Sequence, residues 1–371
     1  MSLNAHLDVD TLLAGTGVAL NGSNPWDPHV ADRARLQAAL AHGTLGVAEA
    51  YIDRQWDCDR LDEMLYRILR AGVDRRLSQL RRTFAALLSW LINPQSGRRA
   101  FAVGARHYDI GDDLYSRMLD RRMIYSCAYW RDARTLDEAQ EAKLDLVCRK
   151  LRLAPGMRVL DIGCGWGGAL QFAAERYGVQ AVGVTVSANQ ARIAADRCAG
   201  LPVEIRLQDY RAVEGRFDRI WSLGMLEHVG HRNYGRYFDA ARRLLADDGL
   251  FLAHSIVSMR SRRANDPFIE RHIFPNSQIP SMAQIATAIE GRFVVEDWHG
   301  FGPDYDRTLM EWCRRFDAAW PELGSKYGER FRRMWRFWLL ASAAAFRARR
   351  NHLCQVLLSP LGVPGGLAEV R

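Results

Sequence analysis

From Arg158 onward, short apolar runs alternate with segments of helical length, and this alternation restricts the fold more than any other feature of the chain. Apolar runs of this kind must be covered on both faces, and a parallel sheet wrapped by helices is the arrangement that does so. The spacing predicts strands over residues 158–162, 180–186, 203–207, 217–223 and 250–256. Turn formers stand where such a scheme needs them, with Pro155-Gly156 before the first strand and Asp247-Asp248-Gly249 before the fifth. The expected class is α/β, a doubly wound, Rossmann-like sheet.

The first hundred residues read differently. Leu36, Leu40, Leu45, Leu61, Leu65 and Leu69, set among polar residues, predict a smaller, mainly helical accessory domain over 1–100, with residues 98–110 as linker into a catalytic domain over 101–371. Residues 260–281 contain Pro267, Pro275 and Pro280 and read as an irregular excursion suited to roofing a site. The tail over 331–358 mixes arginines with Met334, Trp335, Phe337, Trp338, Leu339 and Leu340 and reads as a basic amphipathic helix, either packed on the core or lying on a membrane.

Composition narrows the functional classes. No run of about 18 apolar residues occurs, so no membrane-spanning helix is expected, and the N-terminal stretch around Asn4, His6, Asp8 and Asp10 lacks the pattern of a signal peptide. A cytoplasmic protein is therefore expected. The 7 cysteines are scattered without a C-x-x-C pair, which argues for reduced thiols rather than disulfides or a zinc site. Neither the histidines nor the carboxylates have metal-ligand spacing, and no metal is expected. The formal charge of +8 favours an anionic partner, nucleic acid or a bilayer surface. No nucleic-acid recognition motif accompanies it.

Directly after the first strand comes Asp161-Ile162-Gly163-Cys164-Gly165-Trp166-Gly167-Gly168, a loop whose glycines let the backbone bend under a nucleoside. NAD sites use a related loop, so the surroundings must discriminate. Asp161 can order the loop or attract the cationic amino group of a methionine moiety. The second strand ends in Thr185 and Ser187 followed by Gln190, not in the acid that holds an NAD ribose. Gln208, Asp209 and Tyr210 after the third strand offer an acceptor for an adenine amino group and a ring to stack on it. Together these features favour S-adenosylmethionine, with Asp161, Gly163, Gly165, Gly167, Thr185, Gln190, Gln208, Asp209 and Tyr210 as its contacts, in a class I methyltransferase fold.

Further motifs are His107-Tyr108-Asp109, Tyr125-Ser126-Cys127-Ala128-Tyr129-Trp130, Met225-Leu226-Glu227-His228-Val229-Gly230, Asp297-Trp298-His299 and Asp304-Tyr305-Asp306. With the glycine loop, and with Asn21-Gly22-Ser23 and residues 49–53 near the start, they make the chain resemble the cyclopropane-fatty-acid-phospholipid synthases along essentially its whole length. The resemblance implies methyl transfer to a cis double bond of a phospholipid acyl chain, then loss of a proton and ring closure. It adds Tyr125 and Ser126 to the cofactor contacts and implies a bicarbonate ion held by Cys127, Glu227, His254, the backbone of Ile256, and Tyr305. It also suggests a homodimer peripherally associated with an anionic bilayer.

An alkene is a weak nucleophile, so the methyl must be held against it in a dry pocket, where near-attack placement contributes on the order of 7–11 kcal/mol. Aromatic faces ease the migrating positive charge by about 2 kcal/mol when desolvated; Tyr125, Tyr129, Trp130 and Tyr305 are the candidates, with Trp130 the one best explained as a core residue. Glu227 or His254 acting as direct base is the competing mechanism. A lipid methyltransferase giving a methyl-branched product and a catalytically silent lipid-binding protein are the competing functions. A second basic amphipathic stretch, with Arg75, Arg76, Arg81 and Arg82 among Leu77, Leu80, Phe84, Leu87 and Leu88, is a candidate for contact with headgroups.

Overall fold

The structure is a computed structural model that describes residues 8–73, 111–262 and 265–371. The basic stretch over 75–88, the expected linker and the His107-Tyr108-Asp109 motif lie outside the described residues. Contacts divide the chain into two compact units, one gathering Met1–Ile92, Ala264–Pro275 and Leu309–Asn351, the other Asn93–Arg263, Asn276–Thr308 and His352–Arg371.

The first unit is mainly helical, as expected of the accessory domain, with helices Val9–Leu13, Arg33–Leu40, Gly43–Ile52 and Leu61–Arg70 and a short ladder pairing His29–Val30 with Trp56–Asp57. A single cut at residue 100 does not describe it, because most of the tail belongs here. Arg333 shows why: its guanidinium lies 3.9 Å from the centre of the Tyr51 ring and donates to the carbonyls of Tyr51 (2.7 Å) and Trp56 (3.1 Å) and to Asp57 (2.9 Å). Arg347 reaches Asp62 at 2.9 Å in the same unit. Of the two placements the sequence left open for the tail, core or membrane, Arg333 and Arg347 follow the first and spend their charge on partners inside this unit. Residues 303–347 are helical except at Gly328, whose φ of 75° and ψ of 161° break the run.

The second unit carries the sheet. Its strands are β1 (Arg158–Ile162), β2 (Gln180–Thr185), β3 (Val203–Leu207), β4 (Phe217–Leu223), β5 (Leu245–Ser258), β6 (Val294–Gly300) and β7 (Asn351–Ser359). They lie in the order β3-β2-β1-β4-β5-β7-β6, and β1 to β5 pair in parallel while β6 runs antiparallel to β7. Successive residues alternate between two buried faces: Leu160, Ile220 and Phe251 pack in one core cluster, Val159, Trp221 and Leu252 in the other. This double burial is what makes the strands read as continuous apolar runs. Residues 351–358, expected to continue the helical tail, form most of β7 instead, and β6 was not anticipated. The excursion over 260–281 is largely irregular, with a helical turn at Ile269–Ile273.

Chain order reverses beside β1, whose neighbours are β2 on one side and β4 on the other. In doubly wound sheets such a reversal opens a crevice beyond the carboxyl ends of the strands, which is where ligands bind.

Candidate active site

The glycine loop follows β1 into that crevice. Gly163, Gly165 and Gly167 have φ of 88°, 54° and 80°, left-handed backbone that explains their residue type. The amides of Gly163 and Cys164 both donate to the carbonyl of Val184 at 3.0 Å, which ties the loop to β2. A side chain added at Gly168 would strike the Arg122 carbonyl at 2.1 Å, so this glycine is required for packing. At Gly165 nothing lies within 4 Å of such an atom, leaving room for a ligand against the bare backbone.

Asp161 closes β1. Its Oδ1 is buried without a hydrogen-bond partner, and burial pushes the carboxyl up to about 7 against the opposing field of Lys143. A buried, unsatisfied acid is a receptor for a cation or a donor. At the end of β2, the Thr185 hydroxyl donates to Gln190 Oε1 (3.0 Å) and accepts the Ser187 N–H (3.2 Å), while Ser187 caps the next helix through the Gln190 N–H (3.2 Å). The residues expected after β3 are less free: Gln208 Nε2 donates to the Ala212 carbonyl at 2.8 Å, and both Asp209 oxygens are taken by the Arg211 guanidinium at 2.8 Å. Tyr210, 5% exposed, packs its ring edge-on to Tyr237 in the core. Its ring belongs to the interior, not to a stacking platform.

The Tyr125–Trp130 segment meets the loop through Tyr125. Tyr125 lies edge-on to Tyr115 (5.2 Å between ring centres) and close to Trp166 of the glycine loop (6.4 Å). Ser126 accepts from Lys143 Nζ at 2.9 Å through its hydroxyl and from Gln140 Nε2 at 2.9 Å through its carbonyl. Cys127 is fully buried, its thiol donates to the Ala128 carbonyl at 3.2 Å, and burial holds its proton in place, so it is no thiolate. Trp130 donates to the Thr308 hydroxyl at 2.9 Å and carries Arg307 over its ring at 4.1 Å, a packing role. Tyr129 meets Phe301 and His299 edge-on at 5.2 and 5.8 Å, and Phe301 in turn lies 5.8 Å from the His254 ring.

A second cluster forms where β4 and β5 end. Met225, opening the motif after β4, sits 3.4 Å from the position a side-chain carbon would take at Gly163, so this motif touches the glycine loop. Glu227 Oε1 accepts the Ile256 N–H at 2.6 Å; Oε2 is buried with no partner. Burial pushes the Glu227 carboxyl up to about 7, against the backbone donors that favour its charge. The Ile256 N–H, expected to face an ion, is thus spent on Glu227 itself. His254 is 1% exposed; burial keeps its ring neutral, and its Nε2 lacks a partner. The returning excursion covers the acid from behind, with the Gln278 N–H donating to the Glu227 carbonyl at 2.7 Å. Tyr305 is buried in the first turn of the helix that begins at Pro303.

Comparison with known proteins agrees with this geometry. The family model for mycolic acid cyclopropane synthetase matches residues 95–356. The chain belongs to this family. It is 51% identical over 369 residues to the cyclopropane-fatty-acyl-phospholipid synthase of Escherichia coli K12, covering 99% of this chain and 96% of that protein. A probable fatty acid methyltransferase of Pseudomonas putida is 34% identical, over 81% of this chain and 75% of its own. Among solved structures, the cyclopropane synthase MmaA2 from Mycobacterium tuberculosis superposes with a TM-score of 0.66 at 31% identity, over 70% of this chain and 97% of its own. The mycolic acid cyclopropane synthase CmaA1, solved with SAH and CTAB, gives 0.65 at 34% identity over the same shares, 70% and 97%. The class I methyltransferase fold expected from the strand alternation is the fold of this family.

Four residues of the site escaped the sequence reading: Tyr115, Lys143, Phe301 and Gln355. Lys143 is 0% exposed, and burial pulls its amine down to about 8. It left a signal: Leu136, Ala139, Gln140, Lys143, Leu144 and Val147 all fall on the buried stripe of the helix Leu136–Lys150, so two polar residues occupy core positions. Tyr115 sits fully buried against Trp166 at 4.9 Å, a contact that no spacing in the sequence indicates.

Proposed function

We propose that this chain is a cyclopropane-fatty-acyl-phospholipid synthase, adding a methylene across the cis double bond of an unsaturated phospholipid acyl chain. The reading rests above all on one juxtaposition: a glycine loop with open space at Gly165, joined through Met225 to a buried acid, Glu227, that keeps one oxygen unused.

S-adenosylmethionine, when bound, supplies an electrophilic methyl group. The residues fit it: Asp161 Oδ1 is an unsatisfied buried acceptor near the loop, Gly163 and Gly165 leave the backbone bare, and Thr185 with Gln190 closes the end of β2. Tyr125 lies beside Trp166 of the same loop, and the next residue, Ser126, is held by Lys143 and Gln140. Tyr129 and Phe301 line the approach to His254 with apolar ring faces and exclude water from a cationic centre.

After methyl transfer one proton must leave. A neutral His254 offers a ring N–H to an anion, and Glu227 Oε2 accepts a proton, with a pKa near 7 suited to that exchange. A bicarbonate ion, when bound, would supply a small base; Glu227 and His254 would hold it with Cys127 and Tyr305, while the Ile256 N–H, already given to Glu227, positions that acid. The phospholipid is drawn from an anionic bilayer to which the protein, at +8, binds peripherally from the cytoplasmic side. Among the described residues no helix is long and apolar enough to cross a membrane. Lipid contact and homodimer formation belong, in this reading, to the accessory unit.

The test is incubation of the purified protein with methyl-labelled S-adenosylmethionine and vesicles of cis-monounsaturated phospholipid, with and without bicarbonate. The expected product gains one CH2, loses its alkene signal and shows high-field ring protons, and turnover falls when bicarbonate is stripped. A methyl-branched product, or no label in the lipid despite cofactor binding, would overturn the reading.

A further inference from the structure

We propose that Gln355 is a positioning residue that holds His254 in the tautomer carrying its proton on Nε2. The proposal builds on the reading of Glu227 and His254 as the deprotonation site and assigns a role to a residue outside every motif of that site.

Gln355 lies on β7, which runs beside β5, the strand of His254. Its side chain is 0% exposed in an otherwise apolar run, between Cys354 and Val356. The amide Nε2 is 3.4 Å from His254 Nδ1. An amide nitrogen has hydrogens to give and no lone pair to offer, so Nδ1 must be the acceptor of that contact. A neutral imidazole carries one proton, and with Nδ1 accepting, that proton sits on Nε2. Nε2 is the ring atom left without a protein partner, so the tautomer turns a free ring nitrogen into an N–H donor. An anion lying between His254 and Glu227 needs that donor; the other tautomer would present a lone pair and repel it.

The placement argues against simple packing. Gln355 faces His299 directly across the antiparallel pair of β7 and β6, so His254, Gln355 and His299 form a polar row on one face of three adjacent strands. Gln355 Oε1 and His299 Nδ1 are both buried without partners. A leucine at this position would avoid that cost, so what the buried amide contributes here is its N–H.

The decisive pair is Gln355→Glu and Gln355→Leu. A carboxylate accepts where the amide donates, drawing the proton to Nδ1, whereas leucine fills the space and gives no hydrogen bond. Imidazole nitrogen NMR of the full chain labelled in histidine, with the His254 signal identified by its absence in His254→Asn, reads the tautomer directly. The expected result is an Nε2-protonated ring in the parent chain, Nδ1 protonation in the Glu variant, and turnover lower by on the order of a hundred-fold there, the usual cost of an anion-stabilising donor. Leucine should fall between the two, and S-adenosylmethionine affinity should be unchanged in both. A parent ring protonated on Nδ1 would overturn the proposal, as would a Leu variant with parental tautomer and parental turnover. If the Glu variant fails to fold, the parent spectrum and the Leu variant decide. The tautomer is read in cofactor-free protein, so the bicarbonate dependence of turnover reports separately on the anion.

Discussion

Replacing Glu227 with glutamine should make the protein more stable above neutral pH while it destroys turnover. The carboxyl is pushed from 4.5 up to about 7 by burial. Each unit of that displacement corresponds to about 1.4 kcal/mol, so the whole amounts to roughly 3 kcal/mol. The folded chain holds this proton more tightly than the unfolded chain does. Its contribution to stability is therefore complete below the unfolded pKa, and it is lost as pH rises through the folded one. By pH 8 the parent protein carries a buried, half-partnered carboxylate. Glutamine has the same shape, keeps an oxygen for the Ile256 N–H that Glu227 now accepts at 2.6 Å, and never ionises. Denaturant unfolding followed by tryptophan fluorescence in carbonate-free buffer should find the variant nearly equal to the parent around pH 5, with the gap widening to roughly 3 kcal/mol at pH 8. Asp161, also pushed up to about 7, remains in both proteins and leaves the variant with a pH dependence of its own. Calorimetry should show cofactor binding intact while methyl transfer collapses. A variant no more stable than the parent at pH 8 would refute the burial argument, and a fully active one would refute the proton relay.

Other outcomes separate the parts of the site. Gly165→Ala puts a methyl carbon where nothing lies within 4 Å in the free protein, at the cost of some strain from the positive φ, and should lose S-adenosylmethionine binding by calorimetry while a melting curve shows the chain still folded. Gly168→Ala, by contrast, puts a carbon 2.1 Å from the Arg122 carbonyl and should lower the melting temperature by several degrees; an unshifted transition would show that the loop yields. Binding to vesicles of anionic phospholipid should weaken as ionic strength rises past about 0.15 M, where the Debye length has shrunk to about 8 Å. Sedimentation with the vesicles reads this, and salt-independent binding would remove the electrostatic part of the membrane proposal.

The sheet's first four strands and the chemistry at their ends were legible because they depend on neighbours in the chain. β1, β3 and β4 end where the apolar runs end, and β2 differs by one residue. The glycine loop follows from position, since a strand of a parallel sheet delivers whatever comes next to the same edge, whereas Glu227 and His254 were singled out by the family resemblance, with their place near the strand ends consistent with it. β7 was misread as helix because a strand buried on both faces has no alternation, and over so few residues an apolar run looks the same in either state. The tail arginines were misplaced for a related reason. A charge pattern cannot distinguish water from the partners that Arg333 finds at Tyr51, Trp56 and Asp57. Lys143 and Gln355 lie further beyond reach. Each is a polar side chain in an apolar setting, and its meaning comes from one atom brought near it by folding: Ser126 Oγ for the lysine, and for the glutamine a ring nitrogen 101 residues away. Local propensity and spacing set which strands form and what they carry; which buried polar groups then meet is a matter of sheet order, and only the packed chain supplies that.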